Sequence, residues 1–319
     1  NNTDITIEAK WTDVKAPEDE VLNGSISNLK ILSFDLECTS GDGSFPQANR
    51  ESDQIIQIGS TFSRNGSEEC YYKNIITLGS CDPINGVDVE SYDTEEEVLL
   101  AWRDLVTRED PDIITGYNIF GFDEPYLNGR SKLFNVENQF GTLSRIKDKV
   151  CKFVEQQLSS SALGDNKLKY YNMQGRVQID LMKVVQRDYK LSSYKLDSVA
   201  ENFLNSKVKN KISSTEIEID QVKDLSIGNY IKLIDDNGDA INDSEKYKIV
   251  SIDGSIITID KEVNEKIVKW SLAKDDVSPN DIFRLQKGSS ADRKIIAEYC
   301  VQDCACLLYT SPSPRDATL

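Results

Sequence analysis

The sequence predicts an α/β protein of the α+β kind, with a small all-β unit inserted late in the chain. Residues 30–38, Lys-Ile-Leu-Ser-Phe-Asp-Leu-Glu-Cys, form an apolar run with the composition of a buried strand. Two more strand-like stretches, 54–63 and 69–78, follow in the pattern of an antiparallel meander, and a helical pattern comes after them. From about residue 206 the composition changes. Short alternating strands at 216–219, 230–234, 247–252 and 255–259 are punctuated by Asp236-Asn237-Gly238 and Asp253-Gly254-Ser255 turns.

Taken in order, residues 5–11 alternate like a short strand, and an acidic linker containing Pro17 follows. Residues 39–53 are a polar loop rich in Gly, Ser and Pro. The helix at 93–106 takes Asp93 or Thr94 as its cap and has Glu95, Glu96 and Glu97 in its first turn. Val98, Leu99, Trp102, Leu105 and Val106 share one of its faces. Residues 111–116 read as a short buried strand ending in a turn, and 117–127 then enter a helix. Asn118 and Asp123 stand there in an aromatic, apolar setting, and Asp123 suits an N-cap. Residues 128–170 are polar and lysine-bearing, with an amphipathic segment expected through Ile146, Val150 and Phe153. Residues 177–185 are apolar except at Asp180, and 195–203 reads as a helix with Leu196, Val199, Ala200 and Phe203 inward. The inserted strands read as a β-barrel or β-roll, with Lys207, Lys209 and Lys211 ahead of them either in a solvated linker, the plainer reading, or in contact with DNA or a replication partner. Helices resume at 279–286 and 290–306, the second with Ile295, Ile296, Tyr299, Cys300 and Asp303 on related faces. Pro312 and Pro314 then break the helical pattern, and residues 309–319 are expected to be disordered.

Chemistry first shows in the strand at 30–38. Side chains alternate across a strand, so Asp35 and Glu37 share one face, with Phe34 and Leu36 on the other. Two like charges on a buried strand need a cation between them, and oxygen-only ligands favour magnesium or manganese. A solvated strand end with two surface acids is the plain alternative. The chain contains no histidine, which excludes Ser-His-Asp and Cys-His catalysis and histidine metal sites. Chemistry must therefore run on carboxylates, tyrosine, lysine or metal-held water. The net charge of −17 argues against a broad grip on nucleic acid, but not against a narrow cleft where cations supply the positive charge. Seven cysteines without a Cys-x-x-Cys pair read as reduced thiols in an intracellular protein. No run approaches the roughly 18 apolar residues that a membrane helix needs, and the first residues are not a signal peptide.

Three segments then fit one pattern. Asp35-Leu36-Glu37, Asn118 to Phe122-Asp123, and Tyr299 to Asp303 resemble the Asp-x-Glu, Asn-x-x-x-Phe-Asp and Tyr-x-x-x-Asp exonuclease motifs of the family B DNA polymerases, in the family's order. The text around them, at 31–38, 111–118 and 194–199, looks like the DNA polymerase delta branch and its relatives in large DNA viruses. The resemblance covers about 5–205 and 269–308. It implies a ribonuclease-H-like 3′-5′ exonuclease fold, a mixed β-sheet flanked by helices with carboxylates converging at the strand ends. It also implies a division of the chain: a remnant of the polymerase N-terminal domain and linker at 1–29, the exonuclease domain at 30–205 and 269–308, the insert at 206–268, and an aberrant tail at 309–319. The abrupt start suggests a piece cut from a longer chain. The expected activity is 3′-to-5′ proofreading in a replicative polymerase, on a single-stranded or frayed 3′ DNA primer end. Partners would be the rest of the polymerase chain and processivity factors, in the nucleus or at a viral replication site, with no membrane. The polymerase motifs Ser-Leu-Tyr-Pro-Ser and Tyr-Gly-Asp-Thr-Asp-Ser do not occur, so this stretch is not expected to synthesise DNA. A free-standing DEDD-type exonuclease and a catalytically inactive scaffold are the competing readings.

By the resemblance, Asp35, Glu37, Asp123 and Asp303 hold two divalent cations, Mg2+ or Mn2+. Two metals ~3.5–4 Å apart serve both oxygens of a phosphodiester displacement. Tyr299, one helical turn before Asp303, would orient the attacking water. Phe122 would stack on the unpaired 3′ base, an interaction worth about 1–3 kcal/mol and indifferent to sequence. Phe34 and Leu36 are further expected substrate contacts. Asn118 either hydrogen-bonds the terminal nucleotide or braces its loop. Asp180 is either a carboxylate backing the site or a strand-end hydrogen bond, and Lys195 either a phosphate contact or a solvated lysine.

Overall fold

A mixed sheet organises the first part of the chain. In this computed structural model, which describes residues 8–15, 27–67, 70–160, 164–220, 222, 225, 227–273 and 277–310, two compact units are distinguished. The first is drawn from the chain up to Leu181 together with Pro279–Ala305, and the second is built on Met182–Ser278.

The first unit contains strands β1 (Lys30–Cys38), β2 (Ile55–Arg64), β3 (Cys70–Leu78), β4 (Asp88–Tyr92), β5 (Ile113–Gly116) and β8 (Val177–Asp180), ordered β4-β3-β2-β1-β5-β8. The expected meander is there, since β1, β2 and β3 pair antiparallel. β5 and β8 add in parallel beyond β1, and β4, absent from the sequence reading, pairs in parallel with β3. Helix α1 (Glu95–Glu109) covers one face. Its Thr94 and Glu97 form a reciprocal capping box, which satisfies two first-turn donors. Its apolar stripe meets the sheet, with Trp102 against the Phe34 ring at 4.9 Å and its indole N–H donating to Ser60 Oγ at 3.2 Å. On the opposite face Ile75 packs against Ala297, Cys300 and Val301. β2 is consequently buried along all but its last residue, as a strand covered on both faces must be.

Helix α2 (Asp123–Leu133) begins with Asp123 as its first residue, and its N-cap is Phe122, which offers no side-chain cap. The N-cap role suggested for Asp123 is thus corrected, and its carboxyl is available for something else. A short α3 (Glu137–Phe140) follows. The amphipathic segment expected through Ile146, Val150 and Phe153 does not form. Ile146 and Val150 are exposed, and Phe153 opens a hairpin of β6 (Phe153–Ser160) and β7 (Gly164–Tyr171). The helical spacing of those three residues is coincidental, because Phe153 is anchored across the ladder by Tyr171, ring centroids 5.1 Å apart.

The second unit holds α5 (Leu196–Phe203) and a closed barrel of β9 (Asn205–Lys211), β10 (Glu216–Ile219), β11 (Tyr230–Ile234), β12 (Lys246–Asp253), β13 (Ile256–Ile259) and β14 (Lys269–Ala273), in the order β10-β13-β12-β11-β14-β9. Helix α4 (Leu181–Asp188) lies at the junction in sequence. Alternate strand residues such as Ile217, Ile219, Ile231, Leu233, Ile257 and Trp270 fill the barrel core. Lys207, Lys209 and Lys211, read as linker, stand on β9, a strand that pairs with β10 and β14 and turns Val208 toward the core.

Helices α6 (Pro279–Gln286) and α7 (Ser290–Thr310) follow. α7 runs through Tyr309 and Thr310, past the expected end, while residues 311–319 lie outside the described residues. At the other end Trp11–Asp13 is one 3-10 turn rather than part of a strand. Residues 5–7 and the linker around Pro17 lie outside the described residues. No helix among the described residues is long and apolar enough to cross a membrane.

Candidate active site

Strand β1 gathers the first acids as alternation predicts. Phe34 and Leu36 point into the core beneath α1, at 0 % and 5 % exposure, so Asp35 and Glu37 face the side covered by α7. Carboxylate oxygens of Asp35 and Glu37 lie with Cys300 Sγ of α7 in a group whose atoms are all within 4.8 Å of one another. Cys300 Sγ donates to the Asp35 carbonyl at 3.6 Å. Phe34 and Leu36, expected as substrate contacts, turn their side chains into the core, where Phe34 is fully buried. Leu36 instead contributes its backbone N–H, which donates to the Asp123 carboxyl.

Asp123 comes from the start of α2 and is 2 % exposed. Its Oδ1 is buried with no hydrogen-bond partner. Burial, and then the neighbouring charge of Asp35, hold its pKa well above the ordinary carboxylate value. Tyr299 and Asp303 stand one turn apart on α7, both nearly buried at 7 % exposure. Burial pushes the Cys304 thiol up to about 11, and the charges of Asp35, Asp303 and Asp123 add to the shift. One buried thiol on α7 therefore senses acids from β1, α2 and α7 together.

The turn between β5 and α2 is held by Asp180, 2 % exposed at the end of β8. Its carboxylate accepts the N–H of Asn118 at 2.9 Å and that of Phe120 at 3.1 Å. Asn118 is left-handed at φ 62°, and its carbonyl accepts the N–H groups of Gly121 and Phe122, each at 2.9 Å. Asp180 is thus the brace of the loop that carries Asn118 and Phe122. Lys195 is an exposed residue just before α5.

Phe122 is half-buried and sits beside the Phe45 ring, centroids 5.4 Å apart. Phe45 escaped the sequence reading because it stands alone in a polar loop. It is 72 % exposed, yet its loop is firmly built: buried Asp53 accepts the N–H groups of Gly41 and Gln47, and buried Arg130 donates to the carbonyls of Ala48 and Arg50 while pairing with Glu95. The one signal in the sequence was an aromatic among Gly, Ser and Pro.

The residues present suit a hard divalent cation. The carboxyl groups of Asp35 and Glu37 approach each other at the end of a buried strand, and Asp123, close enough to feel the Asp35 charge, has one orphaned oxygen. Burial, and then repulsion from Asp35, raise the pKa of Asp123, and a bound cation would oppose both.

A family model described as DNA polymerase family B, exonuclease domain, matches residues 1–199, more than half of the chain. The chain belongs to this exonuclease family. The match ends before the barrel and before the helix that carries Tyr299 and Asp303. The exonuclease domain is 52% identical to a DNA polymerase of Pyramimonas orientalis virus over 79% of this chain and 20% of the viral enzyme. It is 38% identical to a DNA polymerase delta catalytic subunit of Oryza sativa subsp. japonica over 70% of this chain and 20% of that subunit. A DNA polymerase of Acanthamoeba polyphaga mimivirus is 29% identical over 95% of this chain and 24% of its own length. The chain thus spans about a fifth of the length of the relatives it matches. Exonuclease domains of this family use divalent metals, in keeping with the acids at the end of β1.

Proposed function

We propose that this exonuclease domain is the 3′-to-5′ proofreading nuclease of a replicative family B DNA polymerase, with a ribonuclease-H-like fold into which the barrel is inserted. That barrel runs from β9 to β14 (205–273) and so takes in the strand at 269–273 expected to belong to the nuclease. The observation that carries the reading is the approach of Asp35 and Glu37 on one face of buried β1, with buried Asp123, one of whose oxygens is unpartnered, feeling the Asp35 charge. The relatives named as polymerases support DNA as substrate, offered as a single-stranded or frayed 3′ end. They support the rest of the polymerase chain as partner, with processivity factors beyond it, in the nucleus or at a viral replication site.

Asp35, Glu37, Asp123 and Asp303 would hold two divalent cations, Mg2+ or Mn2+, whose charge serves the attacking and leaving oxygens of the phosphodiester. The chain's own groups do the rest. The Leu36 N–H holds one Asp123 oxygen in place and leaves the other facing the site. Tyr299 orients the attacking water through its hydroxyl. Phe122 and Phe45 give the unpaired terminal base an aromatic platform, which reads fraying rather than sequence. Asn118, whose backbone N–H is held by Asp180, would hydrogen-bond the terminal nucleotide.

The test is degradation of a 5′-labelled single-stranded oligonucleotide in magnesium, comparing this chain with Asp35→Ala/Glu37→Ala. Stepwise shortening from the 3′ end that vanishes in the double variant is expected. Equal inertness of the two proteins, both folded by circular dichroism, would overturn the reading.

A further inference from the structure

We propose that Gly59 is a positioning residue of the nuclease: its missing side chain sets how closely α7 approaches β1, and so where Tyr299 and Asp303 stand relative to Asp35 and Glu37. The inference rests on the nuclease reading above.

Gly59 lies on β2 directly opposite Asp35. Side chains of directly paired residues project from the same face of a sheet, so a side chain at 59 would rise beside the Asp35 carboxylate, under α7. A Cβ there would meet Cys300 Sγ at 2.8 Å, Cys304 Sγ at 2.9 Å and the Cys300 carbonyl oxygen at 3.1 Å. Ordinary carbon contacts need roughly 3.5–4.0 Å, so the two sulfurs are about 1 Å too near. No single rotamer change relieves all three contacts, because one belongs to the backbone of α7. Gly59 is not among the glycines with positive φ. Its requirement is therefore space rather than backbone freedom.

What fills that space is specific. Cys300 and Cys304 are fully buried and one turn apart, and each directly follows a functional residue, Tyr299 or Asp303. The cysteine ridge of α7 lies on the glycine, and the Tyr299–Asp303 ridge beside it is thereby held near the acids. A methyl group at 59 lifts both ridges together. Beneath the same stretch, Gln57 Nε2 donates to the Arg293 carbonyl of α7 at 2.8 Å. That contact fixes the N-terminal part of the helix, so an obstruction at 59 acts as a wedge further along.

A displacement of about 1 Å in a catalytic group can cost on the order of 10²-fold in rate. Gly59→Ala is expected to lower kcat on a single-stranded oligonucleotide by roughly 10–100-fold while leaving KM within about threefold, since Phe45, Phe122 and Asn118 are not on α7. Mn2+ binding, followed by electron paramagnetic resonance without any turnover, should weaken in the same variant. Gly59→Ala/Cys300→Ala/Cys304→Ala, which clears both sulfurs and leaves only the Cys300 carbonyl at 3.1 Å, should recover kcat and Mn2+ binding part of the way toward those of Cys300→Ala/Cys304→Ala. Recovery of this kind would not follow from a glycine needed only for stability at a temperature where all four proteins are folded. Unchanged kcat and Mn2+ binding in Gly59→Ala, beside an active wild type, would overturn the inference alone, as would a triple variant no better than the single one. A folded wild type with neither nuclease activity nor Mn2+ binding would overturn the nuclease reading, and the inference with it.

Discussion

Replacing Asp123 by Asn separates the stability of the site from its chemistry. In the metal-free protein the Asp123 carboxyl is almost fully buried, one of its oxygens lacks a partner, and Asp35 stands nearby. Burial first, and Asp35 next, raise its pKa on folding. The folded state therefore holds this proton more tightly than the unfolded chain does. The resulting stability is fully present below the unfolded carboxylate value of about 3.9 and is lost as the pH rises through the folded value. At pH above that folded value the metal-free wild type carries a buried, repelled charge, which the isosteric amide lacks. Asp123→Asn should then stabilise the protein in EDTA, each kcal/mol gained raising the melting temperature by roughly 2–4 °C for a domain of this size. The gain should shrink in acid. Saturating magnesium should reverse the order, since a ligand at a hundred times its Kd stabilises by about 2.7 kcal/mol and the variant binds it poorly. Thermal unfolding by circular dichroism, in EDTA and in magnesium at neutral and acid pH, reads all of this. An Asn variant that melts below wild type in EDTA, or that takes the full magnesium stabilisation, would refute the reasoning.

Two other perturbations follow from the loop at 39–53. Arg130→Met leaves buried Glu95 without its cation and the Ala48 and Arg50 carbonyls without their donor. Breaking a buried pair in this way costs about 3–5 kcal/mol, measurable as a lowered urea midpoint; a shift below ~1 kcal/mol, the range of exposed ion pairs, would contradict the role given to the pair. Phe45→Ala removes an exposed ring, so stability should change by no more than about 0.5 kcal/mol. KM for a single-stranded oligonucleotide should nonetheless rise roughly tenfold, as the loss of one base stack implies, and an unchanged KM would remove Phe45 from the site.

The parts of the molecule written in local pattern were legible. Alternation in β1 put Asp35 and Glu37 on one face, and a cap at Asp93 or Thr94 followed by the acids at 95–97 marked the start of α1. Tyr299 and Asp303 fell one turn apart on a helix. What escaped depends on distant segments meeting. β9 reads as a linker because its exposed lysines face solvent, and only pairing with β10 and β14 makes it a strand. Ile146, Val150 and Phe153 fall at helical spacing, but Ile146 and Val150 lie exposed ahead of the hairpin of β6 and β7 and only Phe153 enters it, through its pairing with Tyr171. Phe34 and Leu36 were placed on the correct face, but that face packs into the core under α1. Gly59 carried no signal at all, since its importance lies in the sulfur atoms of a helix far along the chain. Asp180 was visible as a polar residue in an apolar run, but the two N–H groups it accepts belong to another turn.

The central claim is that acids from β1, α2 and α7 make one cation site. Its most direct measurement is Mn2+ binding by the wild type and by Asp35→Asn, Asp123→Asn and Asp303→Asn, each checked for folding. Weakened binding in all three variants is the predicted result, because each removes an oxygen ligand from the same site. Wild-type binding in Asp303→Asn would contradict it, since the helix that carries Tyr299 and Asp303 would then lie outside the site that β1 and α2 build.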